Sequence, residues 1–223
     1  MGTITRSFAN NITTSGVLLP ASLTNNSIAN VTAYNASVSQ GNMVLISSQT
    51  ASNSASISFT TGISSTYKEY QFWFFDIKPA TDSVQFQFNL STDSGSNYNV
   101  TKTTTTFGAD HREDDAYAFL EYGTGSDLAQ STSDQVFSYG GTTLGNGGDE
   151  NMVGTFSLFN PSSTTYVKHF ICTTNTVSSD GSPECEVVHT AGYANTTSAI
   201  NAITFKMSSG NIDDGTILMY GIV

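Results

Sequence analysis

Charged residues are so sparse in this chain, and short apolar runs so regularly interleaved with Ser, Thr, Asn and Gln, that its fold class is nearly set by that alone. Seven Lys and Arg and 18 Asp and Glu are spread over 223 residues. Amphipathic surface helices need a solvated, charge-bearing face, which this composition cannot supply. Strands with hydroxyl and amide side chains outward, joined by turns of Gly, Asn, Asp and Ser, suit it well. The expectation is an all-β, externally displayed protein rather than a cytosolic enzyme.

The period-two pattern locates the strands. Val84, Phe86, Phe88 and Leu90 alternate with Gln85, Gln87 and Asn89, giving one buried face and one amide-bearing face. Tyr70-Gln71-Phe72-Trp73-Phe74-Phe75 is apolar on both faces, as a central strand covered on both sides would be, and Trp73 is expected in the core. Asp76 to Asp82 reads as a turn, because Pro79 cannot sit in a central strand. Further strands are expected around Met43–Ile46, Ala55–Phe59, Tyr98–Phe107, Ala116–Tyr122, Val153–Phe159, Tyr166–Thr174, Val187–Tyr193, Ile203–Met207 and Thr216–Ile222. Nine to eleven strands with turn signals every 8–12 residues predict an antiparallel β-sandwich, jelly-roll-like. Residues 1–40 are Asn-, Ser- and Thr-rich with single small apolar residues, and carry no charge between Arg6 and Lys68. They are expected to form an extended N-terminal docking arm, leaving 41–223 as the sandwich domain.

The net charge of −11 and the scatter of the few basic residues exclude nucleic acid as a partner. No stretch approaches the roughly 20 apolar residues of a membrane span, and Met1–Phe8 has no apolar signal-peptide core. Cys172 and Cys185 bracket the turn-like Ser178–Pro183. A hairpin centred there would bring them face to face as a candidate disulfide, the alternative being two unpaired thiols in strands.

The last third carries a more specific signature. Phe159-Asn160-Pro161-Ser162-Ser163, Gly192-Tyr193-Ala194-Asn195 and the closing run from Phe205 through Ser208-Ser209-Gly210-Asn211-Ile212, Gly215-Thr216-Ile217 and Tyr220-Gly221-Ile222 stand together. With Thr3–Asn11 and the block Tyr67–Phe88, they resemble a family of small virion structural proteins of tailed bacteriophages of aquatic bacteria and cyanobacteria, marked by an SSGNI-x-x-GTI-x-x-YGI ending. The resemblance implies a location on the exterior of a phage particle, as capsid decoration or as a fibre or spike component, and brings no catalytic residue with it. Release within a virion on host lysis would also account for the missing signal peptide.

Residues with chemistry are few. Asp110 to Asp115 is the only dense charge cluster; its carboxylates are candidate Ca²⁺ ligands, but the spacing is not that of an EF-hand and a solvated loop is the simpler reading. No nucleophile elbow surrounds His111, His169 or His189, so no catalytic residue, metal or cofactor is expected. Tyr98 and Tyr139, in or beside loops, are the candidate sugar-stacking residues for a host-surface glycan. The expected function is non-catalytic assembly with other virion proteins. A homo-oligomer, by preference a trimer, would project the sandwich while the arm docks by strand addition or exchange. The alternative is a carbohydrate-binding module that recognises a host glycan.

Overall fold

A computed structural model describes residues 42–139, 141–178 and 183–223. The expected N-terminal arm lies outside the described residues. Twelve strands follow in chain order: β1 (Met43–Thr50), β2 (Ile57–Phe59), β3 (Glu69–Pro79), β4 (Phe86–Ser91), β5 (Lys102–Arg112), β6 (Ala118–Tyr122), β7 (Gln135–Val136), β8 (Met152–Phe159), β9 (Lys168–Val177), β10 (Glu184–Ala194), β11 (Ala202–Met207) and β12 (Ile212–Ile222). They build an eight-stranded sheet in the order β1-β12-β3-β8-β9-β10-β5-β6 and a four-stranded sheet in the order β2-β11-β4-β7. Every pairing is antiparallel. The result is the expected β-sandwich. It is jelly-roll-like in that β2 to β5, and again β10 to β12, step from one sheet to the other.

The alternation read from the sequence is what joins the sheets. Tyr70, Phe72 and Phe74 from β3, Phe156 from β8 and Phe170 from β9 point inward and meet Phe59, Phe86, Phe88 and Phe205 from the small sheet. The rings pack edge-to-face and offset: Phe88 lies 4.7 Å from Phe156 and Phe205 lies 5.1 Å from Phe74 between centroids.

Two expectations about β3 change. The strand does not end at Asp76 but runs on to Pro79, because Asp76 takes a left-handed φ of 52° in a bulge and the pairing resumes beyond it. Opposite it on β12, Gly215 (φ 118°) allows the close approach, since a Cβ there would sit 2.8 Å from the Asp76 carbonyl oxygen. Nor is β3 covered on both faces. Trp73 and Phe75 point away from the small sheet, Trp73 half-buried and Phe75 exposed.

Candidate functional site

The outward face of the large sheet forms a grid fixed by strand register. One row runs from Leu218 and Trp73 through Thr155, Thr173 and His189 to Phe107 and Tyr122. The next row on one side holds Tyr220, Gln71, Ser157, Ile171, Ala191 and Thr105, and beyond it lie Ile222, Glu69, Phe159, His169, Tyr193 and Thr103. On the other side stand Phe75, Val153, Asn175, Val187, Ala109 and Leu120. Ring contacts knit the grid: Trp73 to Tyr220 at 5.4 Å, Phe107 stacked on His189 at 5.1 Å, His169 beside Tyr193 at 6.1 Å.

Glu69 is the one carboxylate in these four rows. Its carboxylate accepts hydrogen bonds from Gln71 (2.8 Å) and Ser157 (2.9 Å), while the Trp73 indole N–H donates to Gln71 (3.2 Å). Most of the grid is aliphatic, aromatic or hydroxyl, and Ile171 at its centre is 52% exposed. The same face continues onto the edge strand β6 through Tyr122 and Leu120, 51% and 75% exposed, while Phe119, opposite Asp110, turns to the other face. Soluble monomers seldom present so broad a face with so many exposed rings and a single carboxylate, and open sheet edges are normally charged or covered.

A groove of about 530 Å³ crosses this face where Ala191 and Gly192 leave room between Ile171, Phe159, His169 and Tyr193. Amides gather at its Tyr193 end. Gln130 donates to the Thr103 hydroxyl at 2.7 Å and Asn195 donates to Gln130 at 2.6 Å.

The stacking residues expected from the sequence do not line it. Tyr139 is 1% exposed, a correction to its expected role, because its ring fills the space left by Gly108 and Gly123. A Cβ on Gly108 would come within 2.2 Å of that ring. Tyr98 is half-buried, its hydroxyl packed against Gly95. Neither joins the aromatic rows of the large sheet.

The candidate disulfide is also corrected. The β9–β10 register sets Cys172 opposite Thr190 and Cys185 opposite Val177. Cys172 is buried in the core, where burial pushes its thiol up, whereas Cys185 is exposed, and both are free. The 110–115 cluster is not wholly a loop: Asp110, His111 and Arg112 end strand β5, and across the following turn His111 meets Asp115 at 3.1 Å and Arg112 meets Asp114 at 2.8 Å. No group of three His, Cys, Asp or Glu side chains among the described residues is placed to hold a metal ion. The strand histidines have local partners, His189 bonding the Thr173 hydroxyl at 3.0 Å.

Two buried polar clusters escaped the sequence reading. In the first, Glu186 on β10 stands opposite Asp110 on β5, with Glu184 two residues away. Burial, with Asp110 and Glu184 adding to it, raises the Glu186 carboxyl to about 7, against the pull of the Thr142 hydroxyl that donates to it at 2.5 Å. Tyr117 donates its phenol to Glu184, which pushes that phenol up to about 12. Burial and the neighbouring Asp110 hold the Tyr139 phenol well above the usual range. In the second cluster, the amide face of β4 is buried under the segment around Ser131–Asp134. Asn89 and Gln87 bond Asp134 at 2.9 and 3.1 Å, and the fully buried Lys102 donates to Asn89 at 2.6 Å. Burial lowers Lys102 to about 8.

No described helix is long and apolar enough to cross a membrane. Compared with protein-family models, with curated proteins and with solved structures, the chain matches none.

Proposed function

We propose that this protein is a non-catalytic structural component of the exterior of a tailed-phage particle, working by association of its large-sheet face with neighbouring subunits. The observation that carries the reading is the outer grid, rich in exposed rings and with Glu69 its one carboxylate, continuous with the edge strand β6. Six strand spacings of about 4.8 Å by three two-residue steps of about 6.7 Å make a face on the order of 600 Å². Covered by a partner, it would bury about 1,200 Å² in total, the lower end of specific protein interfaces. A chain of net charge −11 repels its copies everywhere except where charge is missing, and this face is such a place. The β6 edge offers unpaired backbone groups to an incoming strand, the chemistry of docking by strand addition. The phage-like C-terminal run supports the location, and cyclic symmetry with a trimer as the first choice suits both capsid threefold positions and fibres.

Quantitative mass spectrometry of purified particles against the major capsid protein tests this. Copies in the hundreds make the protein a capsid decoration; a dozen or so place it in the tail; absence from the particle overturns the reading.

A second reading, recognition of a host-surface glycan, draws on the groove beside Tyr193, where rings and amide groups stand together as sugar stacking and hydroxyl binding require. Glycan binding that is lost in Tyr193→Ala with particle incorporation intact would favour it.

A further inference from the structure

The second polar cluster sets an amine, a carboxamide and a carboxylate side by side. Asn89 projects from β4 in the small sheet, and Lys102 opens β5 in the large one. Lys102 is entirely buried, Asn89 is 2% exposed, and no carboxylate ion-pairs with Lys102 among the described residues. The Lys102 Nζ donates to Asn89 Oδ1 at 2.6 Å and to the Val100 carbonyl at 2.9 Å. The same Oδ1 accepts the backbone N–H of Leu90 at 2.9 Å. On the other side of the amide, Asn89 Nδ2 donates to Asp134 Oδ1 at 2.9 Å and to the Thr132 carbonyl at 3.0 Å. Asp134 is itself fixed by Lys206 (2.9 Å) and Gln87 (3.1 Å). An amine is thus aimed at a carboxamide, with a donor on the oxygen and a carboxylate on the nitrogen.

We propose that Lys102 and Asn89 join in an intramolecular isopeptide bond, formed by the chain itself with Asp134 as the proton-transferring group. The steps balance with no oxidant and no added reactant. The neutral Lys102 amine, whose Nζ already lies 2.6 Å from Asn89 Oδ1, attacks Cγ one bond beyond that oxygen. The Nζ–Cγ bond forms, and the carbonyl electron pair moves onto Oδ1, where the Leu90 N–H stabilises it as an oxyanion-hole donor does. Asp134 takes a proton from Nζ and delivers it to Nδ2. The Cγ–Nδ2 bond then breaks and ammonia leaves, so one amine and one primary amide become one secondary amide. Burial favours both reactant and product. It lowers Lys102 to about 8, leaving roughly a tenth of the amine unprotonated at pH 7, and amide formation removes an unpaired ammonium from the core. The bond would tie the two sheets together in a chain whose two cysteines are free.

Intact-mass spectrometry of the purified full-length chain under denaturing conditions tests the proposal independently of any role in a virion. The expected mass is about 17 Da below that of the sequence, the loss of one ammonia. Trypsin should fail to cut after Lys102, and chymotryptic cleavage at Tyr98 should release a branched peptide joining Asn89 to Lys102. Lys102→Met, which keeps the volume, and Asp134→Asn should both restore the full mass. The unreduced sequence mass in wild-type protein shown to be folded by circular dichroism overturns the proposal whether or not either variant folds. So does a mass loss that survives in Lys102→Met.

Discussion

Glu186 shows how a residue whose neighbours are set by strand register becomes a titrating switch on stability. It is 2% exposed, directly opposite Asp110, and its carboxyl lies at about 7 when folded against 4.5 for the ordinary side chain. Between those two values the folded protein holds a proton that the unfolded chain has already released. Stability therefore falls as pH rises from 4.5, and the whole loss is present above 7. The difference corresponds to about 3 kcal/mol. Glu186→Gln keeps the shape and an acceptor for Thr142, so it should raise urea-unfolding stability by about 1–3 kcal/mol at pH 8 and change little at pH 4.5. A variant no more stable than wild type at pH 8 would show that the carboxylate is solvated when charged. Gly108 poses the steric counterpart. Its missing Cβ is where the Tyr139 ring lies, so Gly108→Ala should cost about 1–3 kcal/mol by overpacking, read as a lower urea midpoint at unchanged m-value.

At the scale of elements, β11 is the keystone of the small sheet, with β2 on one side and β4 on the other. Phe205 at its middle is fully buried and meets Phe59, Phe72, Phe74, Phe86 and Phe156. Phe205→Ala should cost about 3–5 kcal/mol in denaturant unfolding, because a site walled by rings on so many sides cannot collapse. That strand and β4 were legible in the sequence, since period-two alternation against polar residues leaves only one face for the core. Trp73 was not legible: a run apolar on both faces gives no sign of which face meets the second sheet. The burial of Gln87 and Asn89 was equally hidden. What covers them is Ser131-Thr132-Ser133-Asp134, a segment with no hydrophobic pattern of its own that is held by amide hydrogen bonds. The cysteines failed on register. Thr190, the true partner of Cys172, is five residues from Cys185, and an odd offset puts two side chains on opposite faces of a sheet. The groove aromatics could have been found, because His169 and Tyr193 alternate with core positions in two neighbouring strands. Only the pairing of β9 with β10 brings them together, and pairing is not written in either strand alone.

At the scale of the molecule, the question is what happens when two copies of a chain carrying −11 approach each other. Their long-range interaction is repulsive, and added salt screens it within a Debye length of about 8–10 Å near physiological ionic strength. An interface held by ion pairs weakens as salt rises. One formed by the outer grid, with Glu69 its only carboxylate, has no ion pairs to lose and should strengthen as the repulsion is screened. Sedimentation of the full chain across a range of NaCl concentrations should therefore show association that increases with salt. Ile171 stands at the centre of the grid and is 52% exposed. Ile171→Lys should cost the monomer no more than about 0.5 kcal/mol, as surface changes do. In an assembly, however, each interface would bury an unpaired ammonium, which is strongly destabilising. The expected result is a folded monomer at every salt concentration, with thermal unfolding of the isolated subunit little changed. If Ile171→Lys associates as the wild type does, subunits meet through another surface, and β6 becomes the place to look. A Leu120→Lys exchange on that edge then separates strand addition from face-to-face packing, because an edge lysine blocks the first and leaves the centre of the grid free for the second.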